Sequence, residues 1–211
     1  FCCSPRAALE NAARDLELDH PALTVGTISG LVRSEKQQAH DTVIVDEAGM
    51  VSLAQVLYLT TLATEKMIFV GDPIQLPPVS ATDNPWNSQN IFLYQAGSRN
   101  LSELYVWQQQ NPNTSVLLKE QFEIPGRIFN VLNQFCYGGR LSTRNRGRGH
   151  ISFIDSSSQN PKNTGRVSSP INQVHAEIVI DSLRDILSKG SVLPNSVGVI
   201  SPFNEQAKFL K

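Results

Sequence analysis

Apolar positions along this chain follow two rhythms. Short β-branched or aliphatic runs, Val43-Ile44-Val45, Met67-Ile68-Phe69-Val70 and Val197-Gly198-Val199-Ile200, are strand-sized and nearly uninterrupted. That is the pattern of strands covered on both faces in a parallel sheet. Strands are therefore expected at 42–46, 67–71 and 197–200. Between them the spacing turns helical. Residues 6–17, the stretch from about Leu53 to Leu62, and Ile124 to Tyr137 read as helices, the last stopped by Gly138-Gly139. In 176–189, Ala176, Ile180, Leu183 and Leu187 share one face, Lys189 lies in the last turn and Gly190 is the stop signal. Alternating strands and helices imply an α/β fold, with parallel sheets flanked by helices, rather than a sandwich. Residues 80–100, carrying Pro85-Trp86-Asn87-Ser88-Gln89-Asn90, read as a polar loop, as does 156–169, and Pro112-Asn113 punctuates the passage to the second half.

Composition narrows the class. At 40% hydrophobic and 18% charged residues, the chain can build a sizeable core. Its apolar runs are too short for a transmembrane helix, and no signal-peptide pattern opens it. Cys2, Cys3 and Cys136 are odd in number and lack Cys-x-x-Cys spacing, so buried, reduced thiols of an intracellular protein, cytoplasmic or nuclear, are expected. His20, His40, His150 and His175 are scattered, which argues against a histidine metal cluster. The net charge of −1 hides an asymmetry. Residues 1–116 hold 6 Lys+Arg against 12 Asp+Glu, while residues 117–211 hold 12 against 7. A basic second half suits a polyanionic partner. Arg140, Arg144, Arg146 and Arg148 read first as a solvated basic loop and second as a grip on nucleic-acid backbone.

The candidate chemistry lies at two strand ends. Asp46-Glu47 closes the first run, at the carboxyl edge where open α/β sheets bind ligands. Two adjacent acids repel unless a cation stands between them and a phosphate. Asp46 is thus suited to hold Mg²⁺, directly or through its water, and Glu47 to orient a water that attacks a γ-phosphate. The second run ends in Gly71-Asp72-Pro73-Ile74-Gln75-Leu76-Pro77-Pro78. Gly71 lets the backbone turn closely, the prolines stiffen the exit, and Gln75 offers a neutral amide able to report a terminal phosphate. Thr27 either caps the following helix or contacts a polymer backbone. Phe122, Tyr137 and Phe203 read as core aromatics.

Taken together, these segments resemble a superfamily 1 helicase of the Upf type. Asp46-Glu47-Ala48-Gly49 is similar to motif II of that family and Gly71 to Pro78 to motif III. Phe1-Cys2-Cys3-Ser4-Pro5 is similar to motif Ia, and Thr24-Val25-Gly26-Thr27 to the threonine-bearing element before motif II. Leu118 to Phe122, running on to Phe135-Cys136-Tyr137-Gly138-Gly139-Arg140-Leu141, looks like the opening of a second motor domain. Val197 to Gln206 looks like its later Val-Ile-Thr-Pro-Tyr-x-x-Gln strand. The resemblance implies a RecA-like P-loop NTPase fold in two motor-domain portions, 1–116 and 117–211, using ATP and Mg²⁺. It implies Asp46, Glu47 and Gln75 in catalysis, with Asp46 on the metal. Gly71, Asp72, Gln121 and Arg127 are implied beside the nucleotide. Ser4, Pro5, Thr27, Arg140 and Pro202 are implied on single-stranded RNA or DNA, with no membrane partner.

Two departures matter. The chain reads Gln121-Phe122-Glu123 where the family usually has Gln-Tyr-Arg or Asn-Phe-Arg, so a glutamate replaces the arginine that reaches the γ-phosphate. Such an arginine is worth about 10³ to 10⁵ in rate. Arg127, one helical turn on, is the nearest substitute, and Arg140 a remoter one. The alternative is a catalytically degenerate nucleic-acid-binding scaffold of the same fold. No Gly-x-x-x-x-Gly-Lys-Ser/Thr phosphate loop is present, and the family's last motifs are missing, so the sequence reads as an internal excerpt expected to be inactive alone.

Overall fold

The computed structural model describes residues 23–34, 38–82, 84–98, 100–159 and 162–211. Ser4, Pro5, Cys2, Cys3 and the helix expected at 6–17 lie outside the described residues. Two compact units divide between Gly147 and Arg148.

In the first unit, the short helix α1 (Ile28–Arg33) precedes β1 (His40–Val45), a 3₁₀ turn (Ala48–Met50), α2 (Leu53–Thr60) and β2 (Ala63–Phe69). β1 and β2 pair in parallel, with Val43 opposite Met67 and Val45 opposite Phe69. Both strands start earlier and stop sooner than the sequence pattern suggests, because the chain turns at Asp46 and Val70 to form the candidate site. Val43 and Val45 point inward at period two, and Val45 is 0% exposed. They pack with Ile28, Val51, Leu53, Val56, Leu59, Leu62 and Ile91. α2 presents Leu53, Val56 and Leu59 on one stripe. Its start is fixed by a capping box: Ser52 Oγ accepts from Gln55 N–H, and Gln55 Oε1 accepts from Ser52 N–H. The helix ends at Thr60, short of Leu62.

The polar loop expected at 80–100 instead contains α3 (Pro85–Ser88) and α4 (Ile91–Gln95), followed by α5 (Leu101–Gln110). Asparagine caps explain two of these helices. Asn90 accepts from Leu93 N–H and Asn100 from Glu103 N–H, each satisfying an orphan donor of the first turn. A two-residue strand β3 (Glu120–Gln121), the helix α6 (Gly126–Cys136) and β4 (Ser142–Thr143) complete the unit, with β3 and β4 parallel. α6 starts after Pro125, whose preset φ suits a helix entrance. Cys136, expected to be buried, is exposed. Phe122, expected in the core, is 66% exposed, since its turn lies outside the β3–β4 pair.

The second unit holds the antiparallel hairpin β5 (Asn163–Arg166) and β6 (Ser169–Asn172), then α7 (Gln173–Ser188) and α8 (Asn204–Phe209). α7 begins three residues before the expected Ala176, because Asn172 caps it by accepting from His175 N–H. Asn172 N–H also donates to Gln206 Oε1 at 2.7 Å, and Gln206 Nε2 donates to Asn172 O at 3.2 Å. This buried exchange ties the hairpin to α8. The buried strand expected at 197–200 is not formed: among the described residues no strand pairs with it, and Ile200 is 95% exposed. With α7 and Ser152–Ser156 it borders a groove of about 520 Å³ inside this unit. Phe203 is likewise exposed.

Candidate nucleotide site

The exits of β1 and β2 are joined by backbone. Val70 N–H donates to Val45 O at 2.8 Å and Ala48 N–H to Val70 O at 2.9 Å, carrying the pairing past the last strand residues. The approach is too close for side chains. A Cβ on Gly49 would lie 2.7 Å from Asp72 O, and one on Gly71 would lie 2.9 Å from Ala48 N. Glycine at both places lets the acidic exit and the glutamine-bearing exit touch.

Asp46 and Glu47 occupy the start of the first exit. Asp46 Oδ1 accepts from Glu47 N–H at 3.0 Å. Glu47 has φ 51° and ψ 40°, and among the described residues it is the one non-glycine with positive φ. A left-handed residue other than glycine costs about 1–3 kcal/mol and is typical of sites where the backbone aims a functional group. Glu47 O accepts from Met50 N–H at 3.0 Å, which starts the 3₁₀ turn, and the Glu47 side chain is exposed. The result is a carboxylate held at the edge by strained backbone.

In the second exit, Asp72 organises the loop. Its Oδ1 accepts from Ile74 N–H at 3.0 Å, and its Oδ2 accepts from Gln75 Nε2 at 3.2 Å and from Tyr137 Oη at 2.5 Å. Gln75 is otherwise exposed, whereas Pro78 is buried and anchors the far end of the loop. Asp46, Glu47, Gly71, Asp72 and Gln75 thus share one edge. Tyr137, read from sequence as a core aromatic, belongs with them. A half-buried tyrosine needs a partner for its hydroxyl, and that need was the available signal. Burial first, and then the hydrogen bond to Asp72, hold the Tyr137 phenol protonated well above the usual tyrosine range.

Other candidates are arranged differently. Gln121 is closed on its own turn: Oε1 accepts from Glu123 N–H at 3.0 Å and Ile124 N–H at 2.7 Å, while Nε2 donates to Ile124 O at 2.8 Å and to Thr143 Oγ1. Glu123 is exposed, and its carbonyl accepts from Asn145 Nδ2 at 2.7 Å. Arg127 is exposed in the first turn of α6. Arg140 lies 4.4 Å above the Tyr105 ring centre, a cation–π contact, and donates to Tyr137 O at 3.2 Å. Arg144 pairs with Glu120 at 2.8 Å, both well exposed. Thr27 caps α1, its oxygen accepting from Gly30 N–H at 3.1 Å. Pro202 is exposed beside Ser201, whose Oγ accepts from Phe203 N–H at 3.3 Å.

A parallel strand pair with acids at one carboxyl end and a glycine-turned glutamine loop at the next fits the RecA-like α/β class. The sequence matches an AAA domain over residues 4–114 and a second AAA domain over 99–211. The chain belongs to this family, on the superfamily 1 helicase branch of the Upf and Dna2 type. It is similar to the "DNA replication ATP-dependent helicase/nuclease DNA2" of Gallus gallus, 26% identical over 179 residues, covering 82% of this chain and 16% of that protein. The protein of the same name from Bos taurus is 24% identical over 212 residues, covering 82% and 19%. The chain therefore spans less than a fifth of the length of these curated relatives. Among the described residues no helix is long and apolar enough to cross a membrane.

Proposed function

We propose that this chain is part of an ATP-dependent helicase or translocase, which hydrolyses Mg-ATP between two RecA-like portions that change over near residue 116 and moves along single-stranded nucleic acid. The approach of the two strand exits, Gly49 against Asp72 and Gly71 against Ala48, carries the reading, because it brings an acidic dyad and a glutamine loop to one edge. Asp46 holds the Mg²⁺, Glu47 orients the attacking water, and Gln75 reads the terminal phosphate. Carboxylate oxygens fit this cation, which is commonly held by one or two carboxylates together with substrate phosphates. Asp46 would hold the cation, which when bound would supply neutralisation of phosphate charge.

Gly71 and Asp72 border the nucleotide. Arg127 supplies the cation that the resembling helicase motif has where this chain has Glu123, and Gln121 contributes by shaping the turn that leads to it. Ser4, Pro5, Thr27, Arg140 and Pro202 follow the nucleic acid. Thr27 can cap α1 with its oxygen while its hydroxyl hydrogen turns to a phosphate. The printed role of the relatives in DNA replication favours DNA as the track.

Glu123 supports a second reading, a nucleic-acid-binding scaffold that has lost turnover. Measuring ATP hydrolysis by the full-length protein with and without single-stranded DNA separates the two. Stimulated turnover is the expected result; nucleic-acid binding with no turnover gives the scaffold.

A further inference from the structure

We propose that Tyr137 is a positioning residue for Gln75, acting through Asp72, so that the end of α6 sets the geometry of the terminal-phosphate sensor. The inference rests on the motor reading of Gln75 and adds a residue to it.

Tyr137 and Gln75 share a single carboxylate oxygen. Asp72 Oδ2 accepts from Tyr137 Oη at 2.5 Å and from Gln75 Nε2 at 3.2 Å, while Oδ1 fixes the loop through Ile74 N–H. An O–H donor at that distance from a carboxylate makes a strong, charge-assisted bond. It fixes the orientation of the Asp72 carboxylate and draws on the electron density that holds the Gln75 amide. Without it, Asp72 can rotate and Gln75 loses its fixed anchor.

The phenol is aimed from a rigid base. Beyond α6 the chain reverses through Gly138 and Gly139, with φ of 58° and 73°. Gly139 N–H donates to Asn133 O at 2.9 Å, and the Asn133 side chain clamps Leu141 by donating to its O at 2.8 Å and accepting from its N–H at 3.0 Å. Arg140 donates to Tyr137 O and lies over buried Tyr105, tying the turn to α5. Asp72 falls in the segment matched by the first AAA domain, and Tyr137 beyond it, in the segment matched by the second. The bond therefore links the two matched portions at the sensor loop. α6 also carries Arg127 near its start, so a shift of this helix changes Arg127 and the Asp72–Gln75 pair together.

The test is Tyr137→Phe in the full-length protein, which removes one hydroxyl and keeps the ring. The DNA-stimulated kcat should fall about tenfold, the scale of one hydrogen bond to a charged group, with KM for ATP within about twofold. In a Gln75→Ala background the same substitution should change kcat by less than about twofold, because its route of action is already gone. An equal fall in both backgrounds, or an unchanged kcat in the single variant, would overturn the proposal. If Glu47→Gln turns over at the wild-type rate, the motor reading itself has failed. The positioning claim is then decided by NMR of isotope-labelled glutamine side chains: a displaced Gln75 amide signal in Tyr137→Phe supports it, and an unmoved one contradicts it.

Discussion

Two strand exits in this molecule end in residues that the helicase resemblance assigns to the nucleotide, and they are built in opposite ways. At the β1–β2 edge, backbone does the positioning. Two glycines permit the approach, a left-handed Glu47 turns the chain, and the Glu47 side chain is left exposed. At the β3 exit, a side chain does the positioning, since the Gln121 amide is occupied with two backbone N–H groups, a carbonyl and a hydroxyl. A polar residue engaged in holding its own turn has little capacity left for a ligand. The first exit is suited to chemistry and the second to shape.

The largest effect that sharpens this contrast is on Arg127. Arg127→Ala should lower DNA-stimulated kcat by about 10³-fold if this residue supplies the cation missing at Glu123. A steady-state ATPase assay of the full-length protein measures it, and a wild-type rate would leave the second exit without a catalytic cation.

Gly49→Ala comes next. Its new methyl would press on Asp72 O, a backbone atom that cannot swing aside. Overpacking of this kind costs about 1–3 kcal/mol. Thermal unfolding should register the loss, together with a fall in kcat as the two exits part. Gln121→Ala should be destabilising by about 1–3 kcal/mol, because two N–H groups lose their acceptor, while KM for ATP holds. A raised KM with unchanged stability would reverse the assignment of Gln121 to shape.

A smaller change has the opposite sign. Glu47→Gly relieves the left-handed strain, so the melting temperature should rise even as turnover vanishes, the signature of a residue kept for function. The smallest effect is in pH. The raised phenol pKa of Tyr137 means its contribution to stability is fully present below the unfolded tyrosine pKa of about 10 and is lost as pH climbs through the folded value. Denaturation midpoints should be insensitive to Tyr137→Phe across pH 7 to about 10 in their pH slope, and differ from wild type in slope only above it.

What the sequence disclosed follows a physical division. β1, β2, α2 and α7 were legible because local patterning decides them: β-branched runs, a single apolar helical face and strong stop signals. The positions of Asp46-Glu47 and of the Gly71–Gln75 loop at strand ends were legible because each directly follows a β-branched or aliphatic run. Val197–Ile200 was misjudged because an apolar run becomes a strand only when another strand accepts its backbone, and that partner is not specified locally. The helices at 91–95 and 101–110 carry their signals in Asn90 and Asn100, caps that the polar composition of the surrounding segment masks. The roles of Gln121 and Tyr137 were hidden for a related reason. Gln121 closes its own turn through Glu123 and Ile124 and also reaches Thr143, while Tyr137 reaches Asp72; no spacing rule exposes the two distant contacts.

The central claim is that the β1 and β2 exits serve one triphosphate, with Glu47 acting on water rather than on binding. The most direct measurement is paired ATP binding and DNA-stimulated hydrolysis for Glu47→Gln in the full-length protein. The account predicts ATP affinity within about threefold of wild type and a kcat reduced by at least about 10²-fold. Hydrolysis at the wild-type rate would contradict it.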